Sequence, residues 1–290
     1  MTVETDKVVF LHVPKTGGAA MEYYLYEQLK RIRRNYFLSF NGVDDSRFIR
    51  DERSTVRPQG NKCVIESIFR EPALAAEYLE SPHFQEAKLL FGHATAALGT
   101  LFPGYRFRYL TVLREPVERT ISNIGQMSVV FGDEVGFGAQ RARAKKFSDE
   151  YWDFVFDVLT REFPVPGLML HENLYLRNCM THVLQGSRYL DVHAAPDLRL
   201  ALVNAMRMQV SFFDEYNAGL QRSFDALGIP IVMSGNTRAA AGEPAADPVK
   251  RQLGRYYNAP QRVIDFVAET NQTDARLYQL VRTRVRDPAA

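Results

Sequence analysis

The chain is expected to fold as an α/β protein, with a mainly parallel sheet between layers of helix and a helix-rich C-terminal half. Three observations predict this. Apolar runs of strand length, Val8–Leu11, Lys88–His93 and Phe107–Leu113, each stop at turn residues. Stretches of helical period lie between and after them. The 290 residues, 46% hydrophobic and 24% charged, make an ordinary globular composition. A chain of this size can bury roughly three quarters of its unfolded surface without a metal or disulfide staple. No internal repeat is evident, so a single domain over residues 1–290 is expected.

Val8–Leu11 reads as a buried strand, closed by His12-Val13-Pro14-Lys15-Thr16-Gly17-Gly18. Gly17 opens a helix with Met21, Tyr24, Leu25, Leu29 and Ile32 on one face. Asn41–Lys62 is polar and reads as a long loop, of the kind that is functional or mobile. Cys63–Phe69 is at most a short strand. Lys88–His93 is a strand ending at glycine, followed by the strand Phe107–Leu113. Pro116 then suits the first turn of a helix, where its missing N–H costs nothing. Gly125–Ser148 holds four glycines and is expected to be flexible and close to an acceptor. Helical periodicity marks Asp149–Glu162, Asn173–Leu184, Pro196–Met206 and Asp214–Leu227, the last ended by Gly228. The short strand Val210–Phe212 precedes that last helix, and the apolar stretch Ile229–Val232 follows it. Gly235–Pro248 reads as a loop, and Pro260–Arg286 as a helical close broken near Asn271.

The stretch after the first strand carries the most chemistry. A strand, a Pro-Lys-Thr-Gly-Gly turn and a helix start together form an anion site. Glycines let backbone N–H groups approach an oxyanion, Lys15 supplies charge and Thr16 a hydroxyl donor. A Walker-type loop has its lysine after the glycines, beside a Ser or Thr that ligates magnesium. Here Lys15 and Thr16 precede Gly17 and Gly18, so no such magnesium ligand is expected. The second stretch is Arg114-Glu115-Pro116-Val117-Glu118-Arg119-Thr120-Ile121-Ser122. Arg114 sits at a strand's carboxyl edge, while Arg119 and Ser122 share a helix face. The two stretches suit a ligand with two separate phosphate-like groups.

Together these motifs resemble the 5′-phosphosulfate loop and the 3′-phosphate motif of sulfotransferases that use 3′-phosphoadenosine 5′-phosphosulfate (PAPS). The resemblance is closest to the heparan sulfate 2-O-sulfotransferase-like branch and its bacterial relatives, with P-K-T before small residues and then R-[DE]-P-x-x-R-x-x-S. It implies a P-loop-like three-layer fold and a sulfuryl transfer from PAPS to an acceptor hydroxyl, of carbohydrate type. It implies a PAPS site of Pro14, Lys15, Thr16, Gly17, Gly18, Ala19 and Ala20 with Arg114 and Ser122, no metal, and Lys15 as a catalytic residue. Many relatives carry hydroxyl side chains where this chain has Ala19 and Ala20, so the backbone has more of the 5′-phosphate to hold. Looser similarities run on through Asn178–Gly186, Phe213–Gly228 and Asn271–Tyr278, and concern packing only.

An acceptor hydroxyl needs a general base. His93, just beyond a strand end, stands where open sheets bind ligands, and the resemblance supports the same residue. His12, Glu66 and Glu71 are rivals, and the adjacent His171 and Glu172 lie far off in sequence. Arg119 is open between phosphate contact and pairing with Glu115 or Glu118.

A net charge of +2 argues against a dedicated nucleic-acid binder. Two basic groups, Lys30, Arg31, Arg33, Arg34 and Arg141, Arg143, Lys145, Lys146, are solvated faces or guides for an anionic cofactor or acidic glycan. Cys63 and Cys179 fit neither a disulfide framework nor a metal site, and both are expected to be buried. No leader segment or membrane span is read, so a cytoplasmic protein is expected; the eukaryotic members of the family it resembles are generally anchored in the Golgi, and this departure implies a bacterial source. Two other readings compete: a P-loop nucleotide kinase, and a non-catalytic nucleotide- or partner-binding protein of the same fold.

Overall fold

The computed structural model describes residues 5–18, 21, 24–25, 28, 37–39, 82–100, 102, 104–130, 147–161, 163–165, 173–186, 193–233 and 255–287. Five strands form one parallel sheet: β1 (Thr5–Leu11), β2 (Phe37–Ser39), β3 (Leu89–Gly92), β4 (Tyr105–Leu113) and β5 (Gln209–Phe212). Their order is β2-β3-β1-β4-β5. The helices are α1 (Pro82–Glu86), α2 (Pro116–Val130), α3 (Asp149–Arg161), α4 (Cys179–Gln185), α5 (Leu198–Ala205), α6 (Tyr216–Leu227), α7 (Gln261–Thr270) and α8 (Gln272–Arg286). Residues 18, 21, 24, 25 and 28 are also helical, as expected of the helix after β1.

β1 is apolar on both faces because both are covered. Val9 and Leu11 pack with α4, α5 and α8 through Met180, Val183, Ala201 and Leu277. Val8 and Phe10 face the other way, onto Met21, Tyr24 and Leu25 of the first helix and Leu220 and Phe224 of α6. A third cluster joins α2, α3 and α7 through Ile121, Trp152, Val155, Val263 and Val267. Lys7 is a polar residue that β1 buries. Its side chain is fully buried and its Nζ donates to the carbonyls of Phe84, Gln85 and Ala87 at 2.6, 3.2 and 2.7 Å. Three acceptors match the three protons of an ammonium, which thereby closes the C-terminal end of α1. Burial, helped by Lys88, lowers its pKa to about 8.

Several expectations need correction. β2 was not read from the sequence, and β4 starts at Tyr105, earlier than Phe107. Gly125–Val130 is helical, as the end of α2. Asn173–Leu184 is not one helix: Asn178 is left-handed at φ 47° and α4 starts after it. Helix Asp214–Leu227 opens instead as a 3₁₀ turn, Phe213–Glu215. The apolar stretch Ile229–Val232 is irregular, although Ile229 and Ile231 are buried. The break at Asn271 is where expected, between α7 and α8. Cys179 is buried and its thiol is pushed up to about 12 by that burial. The loops at 41–62 and 235–248, the segment 63–69, Cys63, both basic groups, Ala19, Ala20, Glu66, Glu71, His171 and Glu172 lie outside the described residues. Among the described residues no helix is long and apolar enough to cross a membrane.

Candidate functional site

Both stretches expected to bind anions leave the carboxyl ends of neighbouring strands, β1 and β4. From β1 the chain departs toward β2 on one side of the sheet, and from β4 toward β5 on the other. The place between them is the topological switch point, where open α/β sheets bind ligands. Arg114 Nη1 donates to the Lys15 carbonyl at 3.0 Å, and Thr111 Oγ1 to the Leu11 carbonyl at 2.8 Å. The two turns are thus tied together at the strand ends.

The first turn is shaped by its backbone. Lys15 and Gly17 are left-handed, at φ 70° and 86°. Turns with such residues gather successive N–H groups into a concavity that attracts anions. The Gly17 carbonyl accepts from Met21 N at 3.2 Å, so the helix begins at Gly18 and its first N–H groups lack intrahelical acceptors. A Cβ on Gly18 would lie 1.9 Å from the His12 ring, and one on Gly17 3.0 Å from the Tyr216 hydroxyl. Only glycine fits either place. Thr16 is buried and its hydroxyl donates to the Val13 carbonyl at 2.7 Å. Its proton therefore closes the turn, a role not anticipated beside the expected phosphate contact. Lys15 is half-buried.

His93 is half-buried beyond β3, with Nδ1 3.1 Å from the His12 carbonyl. A carbonyl only accepts, so Nδ1 carries the hydrogen and Nε2 the lone pair. That tautomer is the one a general base requires. The ring stacks on His12, centroids 4.5 Å apart at 26°, and approaches Tyr175 at 5.8 Å. His12 itself is buried, and among the described residues neither of its ring nitrogens has a hydrogen-bond partner. Burial first, then His93 and Lys15, hold its pKa well below the ordinary imidazole value, so the ring is neutral.

Arg114 lies 4.5 Å over the Phe213 ring and pairs through Nη2 with Glu118 Oε1 at 2.5 Å. Glu118 also takes Arg255 Nε at 3.3 Å, and Ser122 Oγ lies 3.4 Å from the Tyr257 hydroxyl. The structure thus brings Lys15, Gly17, Gly18, His93 and Arg114 to one edge of the sheet, at the carboxyl ends of β1, β3 and β4. Ser122 sits further along α2, under the 255–258 turn. Arg119 is corrected on its pairing: it meets neither glutamate. It is fully buried and donates through Nη2 to the Tyr175 carbonyl at 3.0 Å and Thr120 Oγ1 at 2.7 Å.

Phe213, Tyr216, Glu118 as the partner of Arg114, and Tyr257 were not foreseen in these roles. Register explains Phe213: Leu113 pairs with Phe212, so Arg114 and Phe213 leave adjacent strands side by side. No residue pattern announces which strands will be neighbours. Among the described residues no cluster of three or more His, Cys, Asp or Glu could hold a metal ion. Comparison with protein-family models and with curated proteins finds no match.

Proposed function

We propose that the protein is a sulfotransferase that takes PAPS as co-substrate, within a P-loop-like arrangement of strand, turn and helix, and a hydroxyl of carbohydrate type as acceptor. The observation that carries this reading is the meeting of two anion-binding turns at one switch point, joined by the Arg114–Lys15 hydrogen bond. A singly phosphorylated ligand would need one of them. The donor chemistry fits a doubly charged ligand: a left-handed turn at a helix start, a lysine, and an arginine whose buried Nε has no acceptor among the described residues.

The residues that would hold the 5′ end are Pro14, Lys15, Thr16, Gly17, Gly18, Ala19 and Ala20, and for the 3′-phosphate Arg114 and Ser122. When bound, PAPS supplies a sulfuryl group on a phosphate leaving group. His93 takes the acceptor's hydroxyl proton on Nε2 as that oxygen bonds to sulfur and the bond from sulfur to the phosphate oxygen breaks. Lys15, a compact ammonium on a flexible stem, follows the charge onto the leaving oxygen.

The test is calorimetry with adenosine 3′,5′-bisphosphate and with AMP. The bisphosphate should bind more tightly, and Arg114→Ala should remove about 1.5–3 kcal/mol of that binding, the range for a hydrogen bond to a charged group. Equal affinity for the two nucleotides would end the PAPS reading. On an acceptor found by screening with labelled PAPS, His93→Ala should lower turnover by about 10²–10⁴-fold with nucleotide affinity and Tm kept. Near-normal turnover would remove His93 from the reaction.

A further inference from the structure

His12 is the buried group that the sulfuryl-transfer scheme leaves without work. It is 6% exposed, and both ring nitrogens lack partners among the described residues. An unpartnered buried polar group costs roughly 1–3 kcal/mol, so its presence needs a reason. Packing alone offers a poor one, because a phenyl ring would stack on Phe91 (5.4 Å) and His93 without that cost. The ring's position is the clue. It fills the space a side chain at residue 18 would need, directly against the first residue of the helix after the Lys15 turn. A helix start, a left-handed turn and an orphaned imidazole thus meet at one point.

We propose that His12 is an anion-linked proton acceptor: a sulfate- or phosphate-like group seated on the Lys15–Gly18 turn receives a hydrogen bond from the protonated His12 ring, so that anion binding and proton uptake occur together. The inference rests on the reading of this turn as the site for the sulfate-bearing end of the co-substrate. The proton comes from solvent and adds to a ring nitrogen, and no covalent bond changes. Without an anion the ring stays neutral, because the ionisable groups acting on it, Lys15 from its own turn and His93 from the end of β3, both oppose a second positive charge. Phe91 of β3 and Gly18 of the helix, also against the ring, carry no charge. An oxyanion offsets Lys15 and gives the ring N–H an acceptor. By linkage, the affinity for the anion then rises as pH falls.

The probe is inorganic sulfate, which holds no proton of its own near neutral pH. Histidine-labelled full-length protein is titrated by NMR with and without sulfate, at constant ionic strength set by chloride. His12→Phe and His12→Gln assign the resonance. Sulfate should raise the ionisation midpoint of His12 by at least about one pH unit, equivalent to a tenfold tighter hold on the proton. No change at His12, or a change confined to His93, overturns the proposal. Adenosine 3′,5′-bisphosphate in a parallel sample separates the two readings. If sulfate moves His12 and the nucleotide does not bind, the PAPS reading fails and the His12 site stands. If the nucleotide binds with His12 unmoved, the His12 proposal alone is lost.

Discussion

Arg114 shows how finely one side chain divides its donors. Its guanidinium holds the Lys15 carbonyl, lies on Phe213 and pairs with Glu118. On the proposed reading, a phosphate arriving at this arginine would compete with the Glu118 carboxylate. Glu118→Gln keeps the shape and removes the competing charge, so the affinity for adenosine 3′,5′-bisphosphate should rise by up to about fivefold, roughly 1 kcal/mol. Calorimetry on this variant decides the role of the pair. Weaker binding would mean that Glu118 aims the arginine instead of competing for it. The residue types of this site were legible in the sequence, because Lys, Gly and Arg at strand ends are specific chemistry. Their partners were not, since Glu118 could equally have paired along α2 with Arg119.

At the scale of an element, α4 begins in an unusual way. Its first N–H groups are met by a carboxylate from a distant helix. Asp274 of α8 is fully buried and accepts from Met180 N at 3.0 Å, Thr181 N at 2.7 Å and Thr181 Oγ1 at 2.8 Å. Asn271 accepts from Asn178 N at 2.8 Å, and Asn178 in turn accepts from Asp274 N at 3.1 Å. A negative charge at a helix N-terminus also meets the helix dipole favourably. This exchange is why Asn178 breaks the expected long helix and why the second break falls at Asn271. Asp274→Ala strands three buried donors and should cost about 2–4 kcal/mol, read as a lower midpoint in urea with the slope unchanged. An unaltered midpoint would mean that α4 caps itself.

For the molecule as a whole, two buried bases make stability depend on pH with the same sign. The folded-state pKa of His12 lies well below 6.5, so below that pH the unfolded chain binds the proton more readily than the folded one. Stability therefore falls as pH drops through 6.5, by up to about 1.4 kcal/mol per unit from this group. Lys7, lowered from 10.5 to about 8, adds a second window between those values in which stability again rises with pH. Urea denaturation of wild type and His12→Phe between pH 7 and 5 should show a shallower acid decline in the variant. Parallel declines would mean that other groups dominate the acid limb.

The amino-acid order by itself determined the local events. Apolar residues specified β1 and β3 most directly, because Val8–Leu11 and Leu89–Phe91 are buried at every position, while β4 and β5 alternate until their buried carboxyl ends. Helical periods specified α3, α5 and α7–α8 nearly to their ends, and Lys15, Gly17, Gly18 and Arg114 could be named because a turn against a helix start tolerates few residue types. Only the tertiary structure decided which strands stand side by side. That choice put the Lys15 turn against Arg114, stacked His12 on His93 and fixed the His93 tautomer through the His12 carbonyl just beyond the neighbouring strand β1. It also sent the Thr16 hydroxyl into the turn, and left His12 buried without a hydrogen-bond partner among the described residues. Pairing between distant segments is set by the summed burial of both sheet faces, a quantity that no local stretch of sequence contains.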